Sequence, residues 1–233
     1  MTAPLAGILG GMGPAATAEF YAKLVARTPA VRDQDHLRVV VWADPTVPDR
    51  VAAVLDGSTD PYPALLDGAR RLRDLGATVV GIPCHTAHFF LPKLAADTGL
   101  RFVDMVAETA AALGDRTGRV ALLGTRGTIA SRLYQDRLPG VDLLIPPEPV
   151  QQDVDRAVAA VKRHAIGEAA AHLDRALRAL GAPLTVLACT ELPLAARHTT
   201  APGDLLDPTD LLADAMIAAC RPSTTDARVS TMD

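Results

Sequence analysis

Two stretches of the chain are alike, and each combines the end of an apolar run, two glycines three positions apart and the start of a helical pattern. "ILGGMGPAAT" (8–17) and "LLGTRGTIAS" (122–131) align without a gap. Another apolar run follows each stretch and ends in a cysteine. Cys84 lies 74 positions and Cys189 lies 65 positions after the first glycine of the corresponding stretch. A repeat of this kind predicts that the 233 residues fold into two related α/β units.

Apolar runs alternate with segments of helical periodicity along the chain. Continuous apolar strands are typical of parallel sheets that are covered by helices on both faces. In such sheets ligands bind at the carboxyl ends of the strands, so two facing units would bring Cys84 and Cys189 to opposite sides of one cleft. Predicted strands are 5–9, 37–44, 78–83, 119–124, 141–146 and 184–188. Predicted helices are 14–28, 61–76, 129–138, 150–164, 166–181 and 208–221.

Charge and composition argue against several classes of function. The net charge is −4, so the chain has no basic field for nucleic acid or for an anionic membrane. No apolar run is long enough to span a bilayer, and the N-terminal stretch lacks the basic region of a signal peptide. The three cysteines are too few for a disulfide framework and are expected to be thiols. We therefore expect a soluble cytoplasmic protein with a disordered polar tail over residues 222–233.

The stretch "GIPCHTAHFF" (81–90) brings Cys84, His85 and His88 within five residues. A thiolate and two imidazoles are good zinc ligands, but the chain has no second Cys/His cluster at ligand spacing. A buried cysteine after a strand is otherwise an inert apolar residue. That interpretation would have to hold twice, because Cys189 occupies the equivalent place in the second half.

Two thiols that face each other across a cleft have the geometry for inverting a stereocentre. One thiolate removes a proton from one face, and the opposing thiol returns a proton to the other face. A free thiol has a pKa near ~8.5, which the N-terminus of a following helix lowers. Thr86 and Thr190 follow the cysteines within two residues, and their hydroxyls and the nearby N–H groups can hold a carboxylate. Glu191 and His88 are candidates to orient or deprotonate the neighbouring thiol.

The first glycine loop also fits a different function. "GMGPAA" (11–16) matches the G-x-G-x-x-A form of the dinucleotide-binding fingerprint, and Asp44 ends the second predicted strand. The spacing from the glycines to Asp44 is longer than the usual ~20 residues, and the fingerprint leaves the paired cysteines unexplained. Because the fingerprint is present, an NAD(P)-dependent oxidoreductase remains one alternative function. A non-catalytic protein that binds small acids is a further alternative.

Two cations have ambiguous roles in the sequence. "PDR" (48–50) is predicted to lie in a loop, where Arg50 either clamps a carboxylate with its planar guanidinium or is solvated. Lys162 lies near a helix end, where a cation is expected on electrostatic grounds alone.

The chain resembles the aspartate/glutamate racemase superfamily, and within it the aspartate racemases. The resemblance rests on four motifs in this order: "GILGGMGP", "PDR", a Cys-x-T-A-H segment and "CTELP". The resemblance covers nearly the whole chain and leaves out the tail. It implies two Rossmann-like α/β domains with mainly parallel sheets, related by pseudo-twofold symmetry, with the active site between them. It also implies a cofactor-independent racemase of acidic amino acids and a homodimer. We expect aspartate as the substrate and no bound metal. The expected domains are 1–103 with 207–221, and 104–206.

The resemblance further implies a role for individual residues. The catalytic pair falls on Cys84 and Cys189. Arg50 binds a carboxylate of the substrate, and Lys162 matches a lysine near the end of a helix. The remaining substrate-binding positions are Met12, His85, Thr86, Ala87, Thr125, Thr190 and Glu191.

Two residues depart from the family pattern. His85 stands where the family usually has asparagine, and it can lower the pKa of Cys84, change the pocket or change the substrate. Arg126 stands in the second glycine loop where a small or hydroxyl residue is expected, and it either adds a carboxylate contact or points to solvent. A racemase of broader or different specificity, or another isomerase or lyase with the same cysteine pair, therefore remains an alternative.

Overall fold

The computed structural model describes residues 4–114, 116 and 118–221 and contains two four-stranded sheets. All strand pairs within them are parallel. The order β2-β1-β3-β4 in the first sheet is repeated as β6-β5-β7-β8 in the second. The predicted α/β class and the repeat of the two halves are therefore confirmed. The strands are β1 (Leu5–Gly10), β2 (Arg38–Ala43), β3 (Val79–Gly81), β4 (Arg101–Val103), β5 (Arg119–Gly124), β6 (Asp142–Leu144), β7 (Leu184–Ala188) and β8 (Asp204–Leu206).

Helices lie between the strands and cover both faces of each sheet. The last of them, α10, follows β8 of the second sheet but packs mainly against α5, α1 and β3 of the first half. The helices are α1 (Pro14–Arg27), α2 (Arg50–Leu55), α3 (Tyr62–Asp74), α4 (Leu91–Thr98), α5 (Met105–Leu113), α6 (Arg126–Ala130), α7 (Glu148–Lys162), α8 (Ile166–Leu180), α9 (Leu192–Ala196) and α10 (Pro208–Cys220). Two short 3₁₀ helices span Asp33–Asp35 and Thr86–Phe90.

The side chains of the central strands alternate between two apolar layers. Ile8 of β1 packs with Phe20 and Met216 on one face, whereas its neighbour Leu9 packs with Leu65 on the other face. The second sheet is arranged in the same way. Because successive side chains of a strand point to opposite faces, a strand buried on both faces must be apolar throughout. This explains the continuous apolar runs in the sequence.

Two local predictions were wrong. The predicted helix 129–138 is instead α6, which ends at Ala130, because Arg132 has a left-handed φ of 56° that a right-handed helix does not accommodate. Arg50 does not lie in a loop but is the first residue of α2. The Asp49 carboxylate accepts hydrogen bonds from the N–H groups of Val51 and Ala52, and this cap starts the helix.

Several short elements had no prediction, namely α4, β4, α5, α9 and β8. The predicted tail over 222–233 lies outside the described residues, and the domain boundaries remain a prediction. Within the described part of the chain, no helix is both long and apolar enough to cross a membrane.

Candidate active site

The carboxyl ends of β3 and β7 bring the two cysteines to one cavity. Cys84 follows β3 by three positions and Cys189 follows β7 directly. Both thiols are buried, with relative exposures of 6% and 4%. Together they line a small space of about 30 Å³, hereafter the inner cavity, to which both halves of the chain contribute.

Ten of the eleven residues predicted for the site line the inner cavity. The exception is Ala87, which is fully buried in the core of the first half, although its backbone N–H lies near the Cys84 thiol. The ten are Met12, Arg50, Cys84, His85, Thr86, Thr125, Lys162, Cys189, Thr190 and Glu191. Residues so far apart in sequence meet because both glycine loops and both cysteine loops lie at strand carboxyl ends.

Four lining residues were missed by the sequence analysis: Asp49, Val51, Thr128 and Val158. Asp49 and Val51 flank Arg50, and the start of α2 at this point turns them toward the site. Thr128 belongs to the second glycine loop, which the sequence analysis had identified, so its position in the sequence was a usable signal. Val158 lies one helical turn before Lys162 on α7, a spacing that predicts a shared face.

The surroundings of Cys84 contain a cation. Burial raises the pKa of the Cys84 thiol, whereas the Arg50 guanidinium and the Ala87 N–H lower it. Arg50 donates hydrogen bonds to the carbonyl oxygens of Val47 and Pro48 at 3.0 and 3.2 Å. Its Nε is buried and has no partner among the described residues. This side chain is therefore held in place through one nitrogen, and its buried Nε–H remains available to a ligand.

The surroundings of Cys189 contain an anion. The Cys189 thiol donates a hydrogen bond to the Glu191 carboxylate at 3.1 Å, and the Thr190 hydroxyl donates to the same oxygen at 3.3 Å. Burial and the nearby Glu191 carboxylate raise the pKa of Cys189 well above its ordinary value. In this arrangement Cys189 is a protonated thiol with an acceptor for its proton.

The two histidines of the "CHTAH" segment differ in their contacts. The Nε2 atom of His88 accepts a hydrogen bond from the Met105 N–H at 3.2 Å, so the imidazole is neutral and its Nδ1–H donates to the Cys84 carbonyl at 2.8 Å. Both ring nitrogens of His88 are thus occupied. The imidazole fixes the backbone of Cys84 and does not act as a base for the thiol.

His85 is almost fully buried, with a relative exposure of 2%, and its ring centroid lies 5.9 Å from that of Tyr134. Neither ring nitrogen has a hydrogen-bond partner among the described residues. Burial, with a smaller contribution from His88, lowers the pKa of His85 well below its ordinary value. The imidazole is therefore neutral at pH 7, and the hypothesis that its positive charge lowers the pKa of Cys84 is wrong.

Three threonine hydroxyls form a compact triangle at the wall of the inner cavity. The Oγ1 atoms of Thr86, Thr125 and Thr128 lie 2.8 to 3.0 Å from one another. Thr125 also caps α6 by accepting the Thr128 N–H at 3.2 Å. Hydroxyls that share hydrogen bonds in this way can reorient to donate to an anion.

Glycine is required where the two halves touch and where the first loop turns. A Cβ on Gly127 would lie 2.9 Å from Thr86 Cγ2 and 3.1 Å from Val51 Cα, so only glycine lets α6 approach α2 this closely. Gly11 has a φ of 93°, and a Cβ there would lie 2.3 Å from the Asp44 backbone. The Gly11 N–H donates to the Thr17 hydroxyl at 2.8 Å. This N–H is therefore used within the loop rather than offered to a pyrophosphate.

Arg126 does not line the inner cavity. Its guanidinium forms ion pairs with Glu148 at 2.8 Å and with Asp155 at 2.7 Å. In contrast, neither Arg50 nor Lys162 has a carboxylate within 4.0 Å in the part of the chain that the structure describes. The cavity wall thus carries two cations that form no ion pair with the described residues, although the carboxylates of Asp49 and Glu191 also line it.

A metal site would need several ligating side chains in one place. Among the described residues no group of three or more His, Cys, Asp or Glu side chains is arranged to hold a metal ion. The site is instead a small space with two buried thiols, a cation near one of them and a carboxylate bonded to the other.

Comparison with known proteins adds the following findings. Residues 9–216 match the family model described as Asp/Glu/Hydantoin racemase. The broad specificity amino-acid racemase RacX of Bacillus subtilis (strain 168) is 27% identical over 220 residues, which cover 91% of this chain and 96% of RacX. The structure of Picrophilus torridus aspartate racemase matches this structure with a TM-score of 0.84 and is 30% identical in sequence. The match covers 93% of this chain and 94% of the Picrophilus chain. The glutamate racemase of Francisella tularensis in complex with D-glutamate has a TM-score of 0.67 and 15% identity over 93% of this chain and 80% of its own, a likeness of fold alone.

Proposed function

The chain belongs to the Asp/Glu/hydantoin racemase family and is thus an isomerase, and on this basis we propose that it interconverts L- and D-aspartate with Cys84 and Cys189 as acid and base. The observation that supports this most is that the two cysteines, one from each half of the chain, line the same small cavity. A second supporting observation is that Arg50 and Lys162 line that cavity and neither has an ion-pair partner among the described residues. The proposed reaction needs neither a cofactor nor a metal.

The charges around the two thiols suggest how the reaction starts. Burial raises the pKa of both thiols, but Arg50 lowers that of Cys84 whereas Glu191 further raises that of Cys189, so Cys84 is the easier of the two to ionise. Cys189 is a protonated thiol bonded to Glu191. The Cys84 thiolate removes the proton from Cα of one enantiomer, and the Cys189 thiol gives its proton to the opposite face. The products are the other enantiomer, a Cys84 thiol and a Cys189 thiolate. For the reverse direction the two cysteines exchange roles, and Glu191 is positioned to take the proton from Cys189.

Negative charge that develops on the substrate during proton removal spreads into its α-carboxylate. We propose that this group lies against Thr86 and Thr190, the adjoining backbone of residues 85–87 and 190–191, and the hydroxyls of Thr125 and Thr128. Hydrogen-bond donors that are already in place stabilise such charge without reorganisation. Arg50 and Lys162 then bind the side-chain carboxylate of aspartate, and Met12 lines the remaining wall.

A second candidate function is a racemase of broader specificity. It is supported by the similarity to RacX, a broad specificity amino-acid racemase, and by His85, a bulkier residue than the asparagine usual in the family. In both cases we propose a homodimer, which the molar mass in solution at micromolar concentration would test.

The decisive experiment incubates the purified protein with L-aspartate in D₂O without any added cofactor. Chiral chromatography should detect D-aspartate, and mass spectrometry should find one deuterium at its Cα, because the second thiol carries a solvent-derived proton. Cys84→Ser and Cys189→Ser should each lose racemisation, since a serine hydroxyl has almost no alkoxide at neutral pH. Each variant retains one thiol and is expected to exchange the Cα hydrogen of a different enantiomer.

Several outcomes would contradict the proposal. Substantial racemisation in either serine variant would exclude the two-thiol mechanism. A strict requirement for nicotinamide would favour an oxidoreductase. Binding of aspartate without turnover or exchange would favour a non-catalytic binding protein. Racemisation of many amino acids at similar rates would favour the second candidate.

A further inference from the structure

A second, larger cavity adjoins the inner cavity. This outer chamber has a volume of about 420 Å³ and is lined by the first turn of α1, the loop before α2 and the end of α7. Four residues line both spaces and thus form a gate between them: Asp49, Arg50, Lys162 and Glu191. Beyond the gate, the outer chamber is bordered by Pro14, Ala15, Pro45, Val47, Val161 and His164.

The inner cavity is too small to hold an amino acid by itself. A water molecule needs roughly 10–15 Å³ of such space, so about 30 Å³ corresponds to about two waters. A substrate whose Cα lies between the two thiols must therefore extend out of the inner cavity, and the gate connects that cavity with a space more than large enough to receive it.

The position of the α-carboxylate sets the direction of the side chain. If the threonine triangle holds this group, as we propose, the substrate side chain points away from it and toward the gate. At the gate both anions are already occupied. Asp49 caps α2, and Glu191 accepts hydrogen bonds from Cys189 and Thr190.

Both cations of the gate, in contrast, are free of carboxylate partners among the described residues. Lys162 is in addition more than a third exposed, so its long side chain has room to follow a ligand group. Because Arg50 and Lys162 line the outer chamber as well as the inner cavity, they can meet a carboxylate on either side of the gate. A terminal carboxylate carried one or two methylenes further than that of aspartate would thus contact the same two cations.

From this geometry we infer that the outer chamber is a subsite for longer side chains, and that the protein racemises dicarboxylic amino acids up to the length of 2-aminoadipate. The inference rests on the proposed function, because the two thiols must hold Cα for the side chain to reach the gate. It assigns a substrate class by side-chain length and terminal charge. The methylenes pass through the gate, and the distal carboxylate lies in the part of the outer chamber bordered by Val47 and Ala15, where it contacts Arg50 and Lys162 from the outer side.

The test is a series of substrates with the same terminal charge and increasing length. L-Aspartate, L-glutamate and L-2-aminoadipate are supplied to the unmodified protein, and kcat/KM is measured from the D-enantiomer formed. We expect the value for 2-aminoadipate to lie within about tenfold of that for aspartate, since a pocket that accommodates a methylene discriminates little against it. L-Norleucine and L-ornithine, which lack the terminal anion, should be racemised at least about tenfold less efficiently than 2-aminoadipate.

A substitution that fills the outer chamber without touching the gate tests its location. Ala15 is half-buried and borders only the outer chamber. Ala15→Leu should lower kcat/KM for 2-aminoadipate by about tenfold or more and leave aspartate within about twofold. Ala15→Ser, which adds little volume, should leave both values unchanged. If Ala15→Leu does not fold, the substrate series on the unmodified protein still decides.

The outcomes separate this inference from the proposed function. Racemisation of aspartate without racemisation of the longer acids overturns the inference alone. Equal loss with aspartate and 2-aminoadipate in Ala15→Leu, or a preference for ornithine, also overturns it. Absence of turnover with all three acids overturns the proposed function and the inference together.

Discussion

Charge of opposite sign lies beside each of the two cysteines. Arg50 is near Cys84, and the Glu191 carboxylate accepts the proton of the Cys189 thiol. In a buried site such charges act through little solvent, so they decide which thiol ionises first. The two halves of the chain repeat their fold but not these charges. The repeat therefore places two equivalent thiols, and single residues make them unequal.

Arg50→Ala should move the acidic limb of kcat/KM for aspartate to higher pH. The guanidinium lowers the pKa of the buried Cys84 thiol, so its removal raises that pKa and makes the thiolate form only at higher pH. Loss of the carboxylate contact should also reduce kcat/KM at the optimum by about tenfold to a hundredfold. A pH–rate profile with both enantiomers is the measurement.

Arg50→Lys serves as the matched control, because it keeps the charge and loses the planar fork. It should retain the wild-type acidic limb and still bind aspartate more weakly. If Arg50→Ala has the wild-type rate and the wild-type acidic limb of the pH–rate profile, another cation must bind the side-chain carboxylate of aspartate.

Glu191→Gln should move the acidic limb in the opposite direction. The Glu191 carboxylate is one cause of the raised pKa of Cys189, so the neutral amide should allow that thiol to ionise at lower pH. The effect should be largest for the enantiomer whose proton Cys189 removes. Hydrogen exchange at Cα in the Cys84→Ser variant identifies that enantiomer. A limb that stays at its original pH would show that Glu191 has no electrostatic influence on Cys189.

At the scale of elements, the site depends on the contact between α2 and α6. The helix α2 has no fully buried residue, yet it carries Arg50 and contacts α6 of the other half. The first residues of the two helices are positioned by caps, Asp49 for α2 and Thr125 for α6. Gly127 lets them approach, because a Cβ there would meet Val51 and Thr86. Val51 of α2 and Thr128 of α6 both line the inner cavity, so this contact forms part of its wall.

Gly127→Ala should therefore disturb the α2–α6 contact and the wall of the inner cavity that it forms. Its added Cβ would come within 3.1 Å of a backbone atom of α2, which must shift away together with Arg50. We expect kcat/KM for aspartate to fall about tenfold and the free energy of unfolding to fall by about 1–3 kcal/mol, as for other overpacked sites. Kinetics and urea unfolding of the same preparation are the measurements.

Gly167→Ala is the control for this substitution. Gly167 also lies in a helix, but a Cβ there would have no neighbour within 4 Å. This change should leave kcat/KM unaltered and stabilise the protein by up to about 1 kcal/mol, because alanine favours the helix. Equal kinetic effects in the two variants would contradict the role of the α2–α6 contact.

At the scale of the whole molecule, buried ionisable groups restrict the pH range of stability. The pKa of the imidazoles of His85 and His88 is lowered in the folded state, and that of the thiols of Cys84, Cys189 and Cys220 is raised. Each of these shifts favours the neutral form of its group in the folded state. The unfolded chain takes up protons at the imidazoles below about pH 6.5 and loses protons from the thiols above about pH 8.5.

Stability should therefore be greatest between about pH 6.5 and pH 8.5. Each imidazole that stays neutral in the folded state makes the free energy of unfolding fall by up to about 1.4 kcal/mol per pH unit below about pH 6.5. Urea unfolding at pH 5.5, 7.5 and 9.5 measures both limbs. His85→Asn should reduce the acid slope by about half, and the exposed His198→Asn should leave it unchanged. A flat profile from pH 5.5 to 7.5 would show that the buried imidazoles are charged when folded.

Much of the fold follows from patterns that can be read along the chain. The apolar strands at 5–9, 119–124 and 184–188 lie where they were expected, because strands buried on both faces must be apolar whatever surrounds them. In each half of the chain a glycine loop is followed by a cysteine. The meeting of Cys84 and Cys189 at one cavity could therefore be predicted from the sequence. Short elements such as β4 and β8, with three residues each, carry too little pattern to be recognised.

The sequence by itself determined the class of fold, the repeat and the residues that gather at the strand ends, because periodicity and order are properties of neighbouring positions. Only the tertiary structure decided the state of those residues. His85 is neutral because it is buried, Arg126 is paired with Glu148 and Asp155, and the outer chamber exists because α1, α7 and the loop before α2 leave space between them. Burial, ion pairing and cavity shape depend on groups that are distant in sequence, and no local pattern carries those distances.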